Sequence, residues 1–125
     1  MNQNFPENWP DSCPPPDAEP AQGSYFRVTT GNPPSAKDFK TYAELAKVPN
    51  ASPCLRVGLS LLKNIDDAIH QTRLFPKTGR FVFSANLEPQ HGKCKPTKGS
   101  LPTHTTWWAF EGVDRAALFH FEQTA

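Results

Sequence analysis

The sequence predicts an α+β fold: a small mixed sheet of about five strands with two helices, preceded by a proline-rich N-terminal tail. Three observations predict it. Aromatic and β-branched residues alternate with polar ones in short runs. Two longer stretches repeat apolar residues at helical spacing. Six of the 14 prolines crowd into residues 1–22, where missing N–H donors exclude helix interiors and central strands. A chain of 125 residues argues for one domain. We therefore take 1–22 as an acidic tail and 23–125 as a single α+β domain.

The tail is expected to be extended or disordered, or to wrap the body through Phe5 and Trp9. Tyr25–Thr29 reads as a first strand, with Phe26 and Val28 on one face and Tyr25, Arg27 and Thr29 on the other. Gly31-Asn32-Pro33-Pro34 breaks it. Ser35, with Asp38 three residues on, resembles a capping box, and Phe39, Tyr42, Ala43 and Ala46 follow at helical spacing, which predicts a helix over 35–46. Cys54–Leu59 reads as a second strand, Leu55, Val57 and Leu59 facing the core and Arg56 facing away. Ser60 or Asn64 caps a second helix with the stripe Leu61, Leu62, Ile65, Ala68 and Ile69, which Phe75-Pro76 ends. Alternation over 79–87 gives the clearest strand. Residues 88–103, rich in Pro, Gly, Lys and Thr, read as a loop. Thr103–Phe110 and Ala117–Phe121 supply the last strands.

Hydrophobic residues are only 37% of the chain, so its nine Phe, three Trp and two Tyr must carry much of the burial. The net charge of +1 selects no partner, but its distribution is uneven. The tail carries Glu7, Asp11, Asp17 and Glu19 and no base, whereas 23–125 carry all 13 basic residues against eight acidic ones, a net +5. A mildly basic body suits an anionic ligand or nucleic acid, and equally a solvated surface. Three widely spaced cysteines do not form the even set of a secreted disulfide scaffold. With no leader-like start and no apolar run of membrane length, a cytoplasmic protein with reduced thiols and no membrane partner is expected.

No phosphate loop or dinucleotide fingerprint occurs. Gly58-Leu59-Ser60-Leu61-Leu62 starts like a nucleophile elbow, but Leu62 stands where the closing glycine belongs, so Ser60 is read as a helix cap. His91-x-x-Cys94 supplies one metal-ligand pair where structural zinc needs two, and lysines flank it, so no metal is expected. Cys54 with His104 forms a Cys–His nucleophile pair only if the fold joins them. Arg27 and Arg56, both read as mid-strand, would converge on one anion if their strands are neighbours. In Thr103-His104-Thr105-Thr106-Trp107-Trp108, adjacent indoles point to opposite faces, which leaves one Trp as a ring platform beside His104 and Thr106, or covered by the tail. The basic loop of Lys93, Lys95 and Lys98 precedes it, a broad recipe for single-stranded nucleic acid.

The run Tyr25-Phe26-Arg27, Asn32-Pro33-Pro34, Gly58-Leu59-Ser60 and His104-Thr105-Thr106-Trp107-Trp108 resembles small uncharacterised bacterial proteins, a likeness that brings no activity with it. A looser similarity is to the ADP-ribosyltransferase fold. It implies Arg27 on the NAD pyrophosphate, Ser60 in the serine motif, and His104 orienting a ribose or the acceptor, with NAD as cofactor. Leu59-Ser60-Leu61 departs from that fold's Ser-Thr-Ser, and no glutamate matches its catalytic one. Three functions follow in order: a partner-binding or accessory protein without catalysis or cofactor, holding a protein partner through Trp107, Trp108, Phe5 and Trp9; an NAD-using transferase with Arg27, Ser60 and His104 as catalytic candidates; and a single-stranded nucleic-acid binder.

Overall fold

Antiparallel strand pairing organises the chain, and it does so in two ribbons. The computed structural model describes residues 3–125. Among them seven strands form one sheet: β1 (Glu19–Pro20), β2 (Gly23–Thr29), β3 (Leu59–Leu62), β4 (Phe81–Leu87), β5 (Gly92–Pro96), β6 (His104–Ala109) and β7 (His120–Thr124). Their order is β1-β5-β6-β3-β2-β4-β7, and every adjacent pair is antiparallel. This overturns the expected mixed sheet of about five strands: the sheet is larger, wholly antiparallel, and dominates the architecture. β2 and β4 zip together along seven residue pairs, Gly23↔Leu87 through Thr29↔Phe81. β3 and β6 pair along four. Between these ribbons, β2 and β3 share the single pair Phe26↔Leu62.

Both faces of the sheet are covered. On one, Tyr25, Leu59, Leu61, Phe83, Ala85 and Trp107 pack with Phe39 and Phe119. On the other, Val28, Leu62 and Val82 pack with Ala68 and the partly buried Ile65 and Ile69 of helix α2 (Ile65–Leu74). Asn64 is its cap, its side chain accepting from the Asp66 amide at 2.8 Å, and Phe75 ends it. Of the two caps the sequence offered, Asn64 is used. Asp67 ties this helix to the start of β6 by accepting from the Thr103 amide (2.9 Å) and hydroxyl (2.6 Å), bonds that hold its carboxyl below the usual range.

The helix expected over 35–46 is a chain of turns. Asp38 accepts from the Ser35 amide (2.7 Å) as a capping box requires, but its other oxygen holds the Thr30 amide and hydroxyl. Thr41 and Glu44 then make a second reciprocal box, each amide bonding the other's side chain. Side-chain acceptors thus restart the chain at 41 in competition with the i→i+4 ladder, and Ala46 and Val48 turn out of it at φ 55° and 52°. Phe39 nonetheless enters the core as its apolar spacing required.

The strand expected at 54–59 begins five residues later. Pro53, placed at the first helical position, starts the short helix α1 (Pro53–Arg56). Gly58 then passes so near β6 that a Cβ there would stand 2.3 Å from Thr106 Cγ2 and 3.1 Å from Trp108 Nε1. Residues 88–103 are not a bare loop, since β5 lies within them. The final strand falls at His120–Thr124, with a 3₁₀ turn over Ala116–Leu118 where it was expected to start.

The proline-rich segment lies on the body. Phe5 packs on Phe110 with ring centroids 4.7 Å apart and stacks on Trp9 at 5.3 Å, as the wrapped alternative foresaw. Ala18 and Ala21 are buried, and β1 extends the sheet along β5. Cys13 is joined to Cys54 by a disulfide, which corrects the expectation of reduced thiols. The bridge spans 41 residues and removes loop-closure freedom from the unfolded chain. Replacing both cysteines by serine is expected to cost about 2–4 kcal/mol, read as a lower urea midpoint; an unchanged midpoint would contradict it.

Candidate functional site

The sheet face that carries α2 is only partly covered by it. Beside the helix, Ser60 and Leu62 of β3 and His104 and Thr106 of β6 floor an open cleft of about 730 Å³. α1 contributes Leu55 and Arg56 to its wall, the end of α2 contributes Gln71 and Leu74, and the chain beyond adds Phe75, Lys77 and Thr78. Residues 97–101 form the opposite wall. Of the exposed large apolar residues, Tyr42, Leu55, Leu74 and Phe75 all line this one cavity, each 43–48% exposed. These side chains are gathered on one surface, not scattered singly.

A second cavity of about 360 Å³ adjoins it at the joint between β2 and β3. The two share Tyr42, Ser60, Leu62, Gln71, Lys77, Thr78 and His104 in their walls. The smaller is lined by Arg27, Lys37, Lys47 and Lys77 against one carboxylate, Asp38. Asp38, held by Thr30 and Ser35, offsets one of these charges and acts on Arg27, so four cations against one carboxylate leave the cavity net positive.

Arg27 holds the joint. Its Nε donates to the Asp38 carbonyl (2.7 Å) and its Nη1 to the Ser60 carbonyl (2.7 Å), and the guanidinium lies 5.7 Å from the Phe39 ring centroid. Burial pulls its pKa down to about 10, against the opposing pull of Asp38, so it stays charged at neutral pH. The two arginines expected to converge from neighbouring strands do not line the same cavity. Arg56 sits in α1, not in a strand, and its Nε donates to the Lys47 carbonyl (3.1 Å); it reaches the larger cavity and Arg27 the smaller.

His104 lines both cavities. Its Nδ1 is 2.9 Å from Thr97 Oγ1 and 3.2 Å from the Thr97 carbonyl, and Thr97 Oγ1 is 2.8 Å from Thr106 Oγ1. Gly99 lets the chain lie on the imidazole, where a Cβ would stand 2.5 Å from His104 Cγ. The ring is therefore fixed by two hydrogen-bond partners and a close backbone contact.

Other candidates fall away. Trp107 and Trp108 are both fully buried. Trp107 Nε1 donates to the His91 carbonyl (3.1 Å) and Trp108 Nε1 to the Cys54 carbonyl (2.9 Å), so neither is a ring platform. Ser60 is not a helix cap but a strand residue with its carbonyl on Arg27. Cys54 is bridged to Cys13 and forms no nucleophile pair with His104. Lys93 and Lys95 belong to β5, and Lys95 pairs with Asp17 at 2.9 Å; only Lys98 of that basic run lines the cleft. His91 Nδ1 accepts from the Glu88 amide, and no group of three metal-ligating side chains occurs among the described residues. Sequence reasoning missed Tyr42, Leu55, Leu74, Phe75 and Lys77. The apolar residues at the end of the α2 stripe, beyond what one sheet can cover, were the available signal.

No protein-family model, curated protein or solved structure matches the chain.

Two expectations follow. Trp108→Ala removes a fully buried indole and leaves the Cys54 carbonyl without its donor, which should cost about 3–5 kcal/mol in urea denaturation; a neutral effect would place the ring outside the core. Burial also raises the Cys94 thiol from 9.0 to about 11 and the Tyr25 phenol from 10.0 to about 12. The unfolded chain loses these protons first. The stability their neutral forms contribute is thus complete below pH 9 and lost between 9 and 11 for Cys94 and between 10 and 12 for Tyr25. Urea midpoints over this range should fall in wild type and fall less between pH 9 and 11 in Cys94→Ala.

Proposed function

We propose that the protein acts by binding, without an assigned reaction, and that its partner presents an apolar group next to negative charge. The observation that carries this reading is the composition of one surface. Four exposed apolar side chains gather where Arg27, Lys37, Lys47, Arg56, Lys77 and Lys98 line adjoining cavities, and the one carboxylate there, Asp38, offsets a single charge. A few placed polar groups in a mainly apolar concavity are the usual makings of a ligand site. This keeps the accessory-protein reading but moves its anchors from Trp107 and Trp108 to Tyr42, Leu55, Leu74 and Phe75.

The transferase reading has less support, because no glutamate lines either cavity and two of the donors of Arg27 are spent on carbonyls. The single-strand reading loses its indole platform. No helix among the described residues is long and apolar enough to cross a membrane. The Cys13–Cys54 bridge favours an oxidising compartment over the cytoplasm.

The test uses 1-anilinonaphthalene-8-sulfonate, an aromatic anion whose fluorescence rises in apolar sites. Wild type should bind it saturably, less tightly as salt rises. Lys77→Ala and Leu74→Ser should each weaken binding about fivefold or more, equivalent to about 1 kcal/mol, with unchanged circular dichroism. Binding indifferent to both substitutions would sink the assignment of this cleft.

A further inference from the structure

We infer that the two adjoining cavities form one bipartite site for a nucleoside diphosphate, with the base in the larger cavity, the sugar at the shared wall and the diphosphate in the smaller one. This rests on the binding reading above and assigns its ligand class. The two compartments divide the chemistry between them, apolar in one and cationic in the other.

The larger cavity is bordered by Tyr42, Leu55, Leu74 and Phe75, with Leu62 and Leu101 deeper. Flat apolar walls of this kind cover the two faces of a ring system, and aromatic side chains stack on any base. Its volume of about 730 Å³ exceeds what a base needs, which leaves room for the ring to enter from the open side. The smaller cavity inverts this character. Arg27, Lys37, Lys47 and Lys77 surround it against the single carboxylate of Asp38, whose two oxygens face Thr30 and Ser35. Four cations facing about 360 Å³ match a ligand head of several negative charges better than a single carboxylate. Arg27 Nη2 makes no hydrogen bond among the described residues, whereas Nε and Nη1 are anchored. The guanidinium is therefore held in place with one edge left for a phosphate oxygen.

The wall between the compartments selects the nucleoside over a lipid diphosphate. Ser60, Thr78 and His104 border both cavities, and Gln71 donates to Thr78 Oγ1 (3.1 Å), which fixes both side chains. A hydrocarbon chain would strip these groups of water and offer them nothing. A ribose brings hydroxyls. His104 is positioned for this, since Thr97 holds its Nδ1 and leaves Nε2 for the ligand.

Calorimetry with ADP, adenosine, pyrophosphate and farnesyl diphosphate tests the assignment, alongside displacement of the anilinonaphthalene sulfonate. ADP should bind at least about tenfold tighter than adenosine or pyrophosphate, because each fills one compartment only. Lys77→Ala should weaken ADP and pyrophosphate together. Leu74→Ser should weaken ADP and adenosine and leave pyrophosphate unchanged. His104→Phe should weaken ADP about tenfold while sparing pyrophosphate. Pyrophosphate as tight as ADP would reduce the site to an anion pocket and overturn the proposal, as would farnesyl diphosphate binding tighter than ADP. If the sulfonate binds and ADP neither binds nor displaces it, the nucleoside assignment fails while the binding reading stands; if neither binds, both fail.

Discussion

One arginine bridges the weakest joint of the sheet. β2 and β3 meet through a single residue pair, so the β2-β4-β7 ribbon and the β1-β5-β6-β3 ribbon are nearly separate on the ladder. Arg27 spans the gap by donating to Ser60 across it and to Asp38 on the covering segment. Its charge, lowered in pKa yet kept, replaces ladder hydrogen bonds that the splayed strands cannot make. The same splay opens the smaller cavity. The feature that weakens the sheet thus creates the space in which an anion can approach a partly buried cation.

The two faces divide the labour. Trp107 and Phe119 pack within the first core, their centroids 6.1 Å apart, while Trp108 is pinned on the other face by the Cys54 carbonyl. Since α1 carries that carbonyl and also presents Leu55 and Arg56 to the cleft, the indole sets the position of the cleft wall. The disulfide and the Arg56 bond to Lys47 hold the same turn from outside. Neighbours tied by covalent, hydrogen-bonded and packing contacts lose little order on binding, which favours a preformed site.

What the sequence disclosed followed from period and from capping. Alternation over 79–87 gave β4, and Ile65, Ala68 and Ile69 with Asn64 gave α2, because both signals are local, whereas Leu61 and Leu62, read into the same stripe, lie in β3. The 35–46 region failed for the opposite reason: its apolar spacing was helical, but Thr41, Glu44 and Asp38 had closer acceptors to offer the backbone. β5 was hidden because Gly92-Lys93-Cys94-Lys95-Pro96 lacks β-branched residues, and its place depends on β6 and β1. Adjacent tryptophans correctly implied opposite faces. They did not imply an exposed one, since a sheet covered on both sides buries both. His104, Thr106 and Arg56 do reach the cleft, but Cys13 meeting Cys54 is a contact between distant segments that no spacing rule announces.

The two borders of the sheet differ in what they offer a passing chain. β1 is two residues long and one of them is Pro20, so that border has few amides to share. β7 is five residues, every one exposed, and it lies over the Phe81-Val82-Phe83 stretch of β4. Its position makes it a guard strip: shortening the chain by these residues would turn an apolar, β-prone inner strand into an open template for self-assembly. β7 thus shields its neighbour without contributing a single side chain to the cleft.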